Sequence, residues 1–124
     1  MILDKTLKLE AVLAAGVAAN QPECHVFYKD WNPQGTTSIP APKRTALNSG
    51  TDVTILAAPV NNPAREVIGI HLYNKDTASV TVTIKTDDGT TEFILIKATL
   101  ATLEMLGWEP NAGWYAMTSA GGRK

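Results

Sequence analysis

Among the 124 residues of this chain, one cysteine and two histidines are the first candidates for a nucleophile, a base or a nitrogen or sulfur ligand to a metal. Cys24 directly precedes His25, a pair that could supply a thiolate and its base. Neighbouring residues on a strand point to opposite faces, so these side chains cannot meet if the segment is a strand. We therefore interpret Cys24 as a buried structural cysteine and assign no catalytic residue.

A metal site of the cupin type is the other chemistry that histidines in a β-protein could supply. Cupins place two of their histidines one residue apart, whereas His25 and His71 lie in separate segments. We predict that both fill strand positions, and we expect no metal, no cofactor and no enzymatic activity. Asp87-Asp88-Gly89 resembles the start of a calcium loop, but the EF-hand ligand spacing does not follow, so we predict a turn there.

The three tryptophans are candidates for binding. Trp108 and Trp114 flank a Pro-Asn-Ala-Gly turn and could approach each other across it, and Trp31 precedes a long irregular segment. Aromatic side chains close the ends of β-sandwiches and anchor subunit interfaces. We favour a core or interface role, and a carbohydrate-binding pair is the alternative.

The composition excludes several classes of protein. Eleven basic and twelve acidic residues give a formal net charge of -1, and no basic stripe indicates a nucleic-acid partner. The single cysteine allows no intrachain disulfide. The chain lacks an apolar run of about 18 residues, and its first residues lack the basic start of a signal peptide. We expect no membrane partner and folding in a reducing cytoplasm.

Residues 64–98 are predicted to hold the centre of the fold. Val80, Val82 and Ile84 alternate with polar residues, the period of a half-buried strand. Asp88-Gly89 indicates a tight hairpin turn, and Asn74-Lys75-Asp76 indicates a second turn before it. These signals predict a meander of three consecutive antiparallel strands.

The rest of the chain also favours strands. Residues 5–15 fit either a helix or a strand, and we favour the strand; residues 24–30, 52–58 and 114–118 fit strands, whereas 32–50 form a long loop with one short edge strand. About eight short strands separated by turns predict an all-β, antiparallel β-sandwich of jelly-roll type. Residues 1–124 form one domain, in which 1–20 are an N-terminal arm or the first strand.

Short motifs lie at turns and strand ends along nearly the whole chain. They are Gly16 to Gln21, Asp30, Ala57-Ala58-Pro59, Asn74-Lys75-Asp76, Asp88-Gly89-Thr90, Gly113-Trp114 and Gly122-Arg123-Lys124. These motifs resemble those of a group of small bacteriophage virion proteins, in which a Gly-Val/Ala-x-x-Asn-Gln turn links the first two strands. Two segments differ from that group. Its usual Pro-Gly-Glu before the penultimate strand is replaced here by Ala101-Thr102-Leu103-Glu104, and its aromatic-x-Asp-Gly turn is replaced by residues 108–113.

The resemblance implies a non-enzymatic structural role in a virion, with the host bacterial cytoplasm as the place of assembly. The leading expectation is a capsid decoration, or cement, protein that binds the major capsid protein of the assembled head. A tail, neck or fibre component, or a carbohydrate-binding module for host attachment, is the alternative. We also expect a homo-oligomer, with a trimer favoured. The residues expected to form contacts are Met1, Ile2, Leu3, Trp31, Pro40, Pro42, Trp108 and Trp114.

Overall fold

The computed structural model describes all residues from 1 to 124 and contains eleven strands and no helix. The sequence predicts about eight strands; nine of the eleven have four residues or more, and the other two have only two residues. The strands are β1 (Ile2–Leu3), β2 (Lys8–Leu13), β3 (Glu23–Trp31), β4 (Thr37–Ser38), β5 (Lys43–Ala46), β6 (Val53–Leu56), β7 (Ala64–Tyr73), β8 (Val80–Asp87), β9 (Glu92–Leu100), β10 (Met105–Glu109) and β11 (Gly113–Met117).

The strands form two antiparallel sheets, which confirms the predicted β-sandwich. The seven-stranded sheet has the order β11-β10-β7-β3-β4, with β1 also on β7 and β5 also on β3; the four-stranded sheet has the order β6-β2-β8-β9. The consecutive strands β2 and β3 lie in different sheets and pair with β8 and β7, respectively. The connections from β2 to β3 and from β7 to β8 therefore cross between the sheets side by side, as paired strands do in a jelly roll.

Alternation along the strands builds one core between the sheets. Val80, Val82 and Ile84 point inward from β8, as predicted, and Leu9, Ala11 and Leu13 do so from β2. Segment 5–15 therefore contains a strand, and this strand is paired on both sides, with β6 and β8. Seventeen buried apolar residues make up this single core.

The predicted meander over 64–98 is wrong in one respect. The hairpin of β8 and β9 forms, but β7 pairs with β3 and β10 in the opposite sheet. The reason is that residues 74–79 are a crossing loop and not a tight turn. Asn74 and Asp76 are almost completely buried in it, whereas the residues of a hairpin turn face water.

The hairpin turn lies where the sequence predicts it. Gly89 has φ of 91°, in the left-handed region that favours glycine. Asp88 contributes through its carboxylate, whose Oδ1 accepts hydrogen bonds from the backbone N–H groups of Thr90 at 2.8 Å and Thr91 at 2.6 Å. These bonds lower the pKa of Asp88 below its usual value.

A buried ion pair ties β3 to β7 near the opposite end of both strands from the crossing loop. Asp30 accepts two hydrogen bonds from the guanidinium of Arg65, at 2.7 Å to Oδ1 and 3.2 Å to Oδ2. The same guanidinium lies 4.7 Å from the centre of the Tyr28 ring and donates to the carbonyl oxygen of Ala57 at 2.8 Å. The charges are thus fully partnered although Asp30 is buried.

Gly107 in β10 makes room for an aromatic ring. Tyr115 is its cross-strand partner on β11, and a Cβ added at Gly107 would lie 2.6 Å from the Tyr115 hydroxyl oxygen. The ring is held in place because its hydroxyl donates to Glu109 at 3.1 Å and Arg123 stacks on it at 4.6 Å. A glycine at this position lets the ring lie directly on the backbone.

We expect Gly107→Ala to lower the free energy of unfolding by about 1 kcal/mol, because the new methyl group displaces the Tyr115 ring. Chemical denaturation of Gly107→Ala, of Tyr115→Ala and of the double variant measures the effect. In the Tyr115→Ala background, Gly107→Ala should no longer lower the free energy of unfolding. Gly16→Ala is the control, with open space around the added Cβ, and should change stability by less than about 0.5 kcal/mol. An equal cost for Gly107→Ala in both backgrounds would contradict this account.

Candidate functional site

Three of the predicted contact residues point into the sandwich. Leu3 is fully buried opposite Arg65, so this residue belongs to the core and not to a contact surface. Trp108 lies opposite Trp114 and also opposite the core residue Ile70, and both indole rings pack against the core. The ring centroids are 6.4 Å apart and the planes are inclined at 53°. This tilted, partly buried pair does not form the flat exposed platform that stacking on a sugar requires.

Ile2 and Trp31 lie on the outer face of the seven-stranded sheet. Ile2 is 61% exposed and is paired with Glu66. Trp31 donates from Nε1 to the Glu66 carboxylate at 3.4 Å, and the Lys29 ammonium lies 5.7 Å from its ring. These two predicted contact residues therefore share one part of the surface. The remaining ones are the half-buried Met1 and Pro40 and the exposed Pro42.

The two histidines are directly opposite each other on β3 and β7, a proximity that the sequence does not reveal. They lie on the outer face, since they alternate with the buried Cys24 and Leu72. His25 Nε2 is 3.1 Å from Glu23 Oε1, and His71 packs edge-on against Phe27 with ring centroids 5.5 Å apart. Each histidine thus has a structural neighbour, and the pair is outside the sandwich, unlike the enclosed site of a cupin.

Glu23 is the anionic centre of this face. Besides His25, its carboxylate receives Arg44 at 3.1 Å and Lys75 at 3.2 Å. The hydrogen bonds from His25, Arg44 and Lys75 lower the pKa of Glu23 to about 2. The arrangement links β3, β5 and the loop after β7 electrostatically.

Cys24 is buried and unpaired, as predicted. Burial raises the pKa of its thiol to about 12. The thiolate that nucleophilic chemistry requires is therefore not formed near neutral pH.

The largest exposed apolar feature of a regular strand is the start of β9, which the sequence analysis does not single out. Phe93 is 67% exposed and Ile94 is 60% exposed. The strand is the edge of the four-stranded sheet and is hydrogen-bonded only to β8. Leu95 is an extra residue in that pairing, since Lys85 pairs with Ile94 and Ile84 pairs with Ile96. The signal in the sequence is the unbroken run Phe-Ile-Leu-Ile, which departs from alternation.

An acidic cluster lies on the outer face of the four-stranded sheet. Glu10 on β2, Asp87 on β8 and Glu92 on β9 each place one carboxylate oxygen within 4.8 Å of an oxygen from each of the other two. Glu10 is only 5% exposed, and its Oε1 is buried without any hydrogen-bond partner. Burial raises the pKa of Glu10, because the charged form loses its hydration.

Two lysines border this cluster. Lys8 Nζ is 3.3 Å from Glu10 Oε2. Lys85 Nζ lies between two carboxylates, 2.6 Å from Glu92 and 2.9 Å from Asp52. The hydrogen bond from Lys85 to Glu92 is the main cause that raises the pKa of this lysine, although its side chain is largely buried.

A buried carboxylate organises the opposite end of the sandwich. Asp76 accepts hydrogen bonds from three consecutive backbone N–H groups of residues 18–20, at 2.9, 2.8 and 3.0 Å. Residues 18–20 belong to the connection between β2 and β3, and Asp76 belongs to that between β7 and β8. These backbone bonds lower the pKa of Asp76 to about 2.

Asn74, which is fully buried, extends the network to the connection between β9 and β10. Its amide nitrogen is 3.0 Å from the carbonyl oxygens of Ala78, Leu100 and Ala101, and its Oδ1 accepts the backbone N–H of Asp76 at 3.0 Å. The backbone N–H of Leu103 donates to the Asn74 carbonyl at 2.7 Å. Three connections are therefore joined through two side chains.

Leu103 has an unusual conformation in that connection. Its φ is 64°, in the left-handed region, and its side chain is 50% exposed. A residue other than glycine loses about 1 kcal/mol or more in this conformation. The exposed side chain makes no contact within the core that would offset this cost.

The chain gives no match with protein-family models, with curated proteins or with solved structures. It has no helix of the length and apolarity needed to span a membrane.

We expect Asp76→Asn to lower the melting temperature at pH 7 by more than about 5 °C, because the new amide N–H₂ faces the donors of residues 18–20. The ionised carboxylate stabilises the fold above the unfolded pKa near 3.8, and this contribution is lost as the pH falls towards 2. The difference from the wild type should therefore shrink between pH 4 and pH 2. Thermal unfolding across this range measures it.

The control is Glu109→Gln, which removes an exposed carboxylate outside the network, while the glutamine amide oxygen can still accept the hydrogen bond of the Tyr115 hydroxyl. Its melting temperature should follow that of the wild type at each pH. A difference between wild type and Asp76→Asn that is the same at pH 7 and pH 2.5 would show that charge on Asp76 does not stabilise the fold.

Proposed function

We propose that the chain is a non-enzymatic structural protein of a bacteriophage virion, and most directly a capsid decoration protein that binds the assembled head. The resemblance of its turns and strand ends to those of small virion proteins motivates this proposal, and a β-sandwich is an architecture that suits it. A tail, neck or fibre position is the runner-up. The expected partners are the major capsid protein or other virion proteins and further copies of the chain.

The observation that carries the proposal is the exposed edge of β9. An edge strand has unpaired backbone N–H and C=O groups, and natural proteins usually protect such an edge with charges, prolines or short length. In β9 the first half instead exposes Phe93 and Ile94, with Glu92 and Lys97 as the nearest charges. Apolar side chains beside free hydrogen-bonding groups suit addition of a strand from another protein.

Leu103 supports a second contact at the other end of the sandwich. The virion proteins that this chain resembles usually have Pro-Gly-Glu where this chain has Ala101-Thr102-Leu103-Glu104, so a segment that contains glycine in them contains here a leucine with φ of 64°. Residues in strained backbone conformations cluster at functional sites. Contact of the exposed Leu103 side chain with a partner would offset its backbone cost.

Binding in this proposal results from many modest contacts repeated over the shell. Each copy buries apolar surface against its neighbours, and symmetry multiplies the number of such contacts. The homotrimer that the resemblance to virion proteins implies is part of the proposal. Ile2 and Trp31, on the outer face of the larger sheet, remain candidates for contacts between copies.

We expect the purified chain to cosediment saturably with empty heads of its phage, at a stoichiometry set by the symmetry of the shell, and not with isolated tails. A double variant, Phe93→Ser with Ile94→Ser, should bind heads at least about tenfold more weakly, because two exposed apolar anchors are lost. The melting temperature should stay close to that of the wild type, since neither residue is buried.

Val60→Ser is the matched control, since Val60 is an exposed apolar residue (80%) outside the strands. It should bind heads as the wild type does. Binding to tails alone would assign the protein to the tail, and binding to neither would overturn the virion proposal. Unchanged head binding by the double variant would exclude the β9 edge as the surface that contacts the head.

We expect Leu103→Gly to raise the free energy of unfolding by about 1 kcal/mol, because glycine adopts a positive φ without strain. The same variant should bind heads more weakly, since it lacks the exposed side chain. Chemical denaturation measures the expected gain in stability, and cosedimentation measures the expected loss of head binding. A variant that is more stable and binds equally well would leave Leu103 without a role in binding.

A further inference from the structure

We propose that Glu10, Asp87 and Glu92 form a binding site for a hard divalent cation, calcium in the first place, on the outer face of the four-stranded sheet. The three carboxylates come from the adjacent strands β2, β8 and β9. Asp87 is directly opposite Glu92 in the β8–β9 pair, and Lys8 is opposite Asp87 on the other side. The ladder register therefore places the three side chains over one small area.

The spacing suits a single ion. Calcium is bound by oxygen atoms at about 2.3–2.6 Å, so two ligands on opposite sides of the ion are about 5 Å apart. One oxygen from each carboxylate of the site lies within 4.8 Å of the others. Three protein oxygens can thus belong to one coordination shell, and water completes the shell from the open side, where Glu92 is 46% exposed.

The buried oxygen of Glu10 points to a missing partner. Glu10 Oε1 and Thr45 Oγ1 are the two buried side-chain oxygen atoms of the chain that have no hydrogen-bond partner. A buried carboxylate oxygen without a partner is destabilising, and Oε2 already contacts Lys8. A cation between Glu10 and Asp87 would satisfy the oxygen and remove the repulsion between the two carboxylates.

The local charge also agrees with a divalent ion. The charged side chains in mutual contact here are four carboxylates and two ammonium groups, which leave two negative charges uncompensated. One divalent cation neutralises them. The groups are Glu10, Asp52, Asp87, Glu92, Lys8 and Lys85.

A bound ion would tie the tip of the β8–β9 hairpin to β2. Phe93 and Ile94 follow Glu92 directly, so the ion would fix the start of the exposed edge. The inference does not depend on the virion proposal, because it rests on the side chains of the isolated chain and is tested on it.

The test uses the full chain, stripped with EDTA and dialysed, in calorimetric titration and thermal unfolding with calcium chloride. We expect one saturable site, and a rise in melting temperature of about 3–6 °C at a concentration ten times the dissociation constant. Magnesium chloride should act in the same direction, and sodium chloride at equal ionic strength should not. Glu10→Gln and Asp87→Asn should each abolish the rise, while Glu109→Gln, outside the cluster, should retain it.

A response to calcium no larger than that to sodium chloride would overturn the proposal and leave a proton shared by Glu10 and Asp87 as the partner of the buried oxygen. A calcium response that persists in both variants would also overturn it. Should Glu10→Gln fail to fold, Asp87→Asn gives the same comparison at a less buried position, and titration of the wild type is independent of both.

Discussion

The fold depends on the satisfaction of backbone groups where the chain passes between the sheets. At one end of the sandwich, three N–H groups of residues 18–20 have no backbone acceptor as the chain leaves β2. Asp76 receives all three from the loop that joins β7 to β8. The connections β2–β3 and β7–β8 take the chain from one sheet to the other side by side. One carboxylate therefore fixes the position of both connections relative to each other.

Polar side chains rather than apolar contacts close both ends of the core. Asn74 and Asp76 join three connections at one end, and the pair of Asp30 and Arg65 joins β3 to β7 near the other. Each group is partnered, so burial of charge and amide does not leave an unsatisfied atom. Glu10 is the exception among the acidic residues, and its position over the outer face of a sheet separates it from these structural networks.

The sequence predicts the parts of this structure that local periodicity and turn chemistry determine. Alternation identifies β8, and Asp88-Gly89 identifies the hairpin that follows it. Local sequence does not predict that β7 and β8 lie in different sheets. Asn74-Lys75-Asp76 has the composition of a surface turn, whereas the side chains of Asn74 and Asp76 are buried. Long-range pairing and the partners of a carboxylate are properties of the whole chain. The same limit explains why the sequence leaves open whether Trp108 and Trp114 lie in the core, at an interface or on a sugar-binding surface, although both pack against the core. It also explains why the sequence does not predict that the two histidines are opposite each other on β3 and β7.

The burial of the Cys24 thiol has a practical consequence. Since it is the sole cysteine and is shielded from solvent, the native protein offers no chemical handle to maleimide or iodoacetamide reagents. A cysteine introduced at an open surface position such as Gly16, where an added side chain meets no neighbour, would then be the single site of modification. Fluorophores or cross-linkers can thus be attached at one chosen point without first removing a native residue.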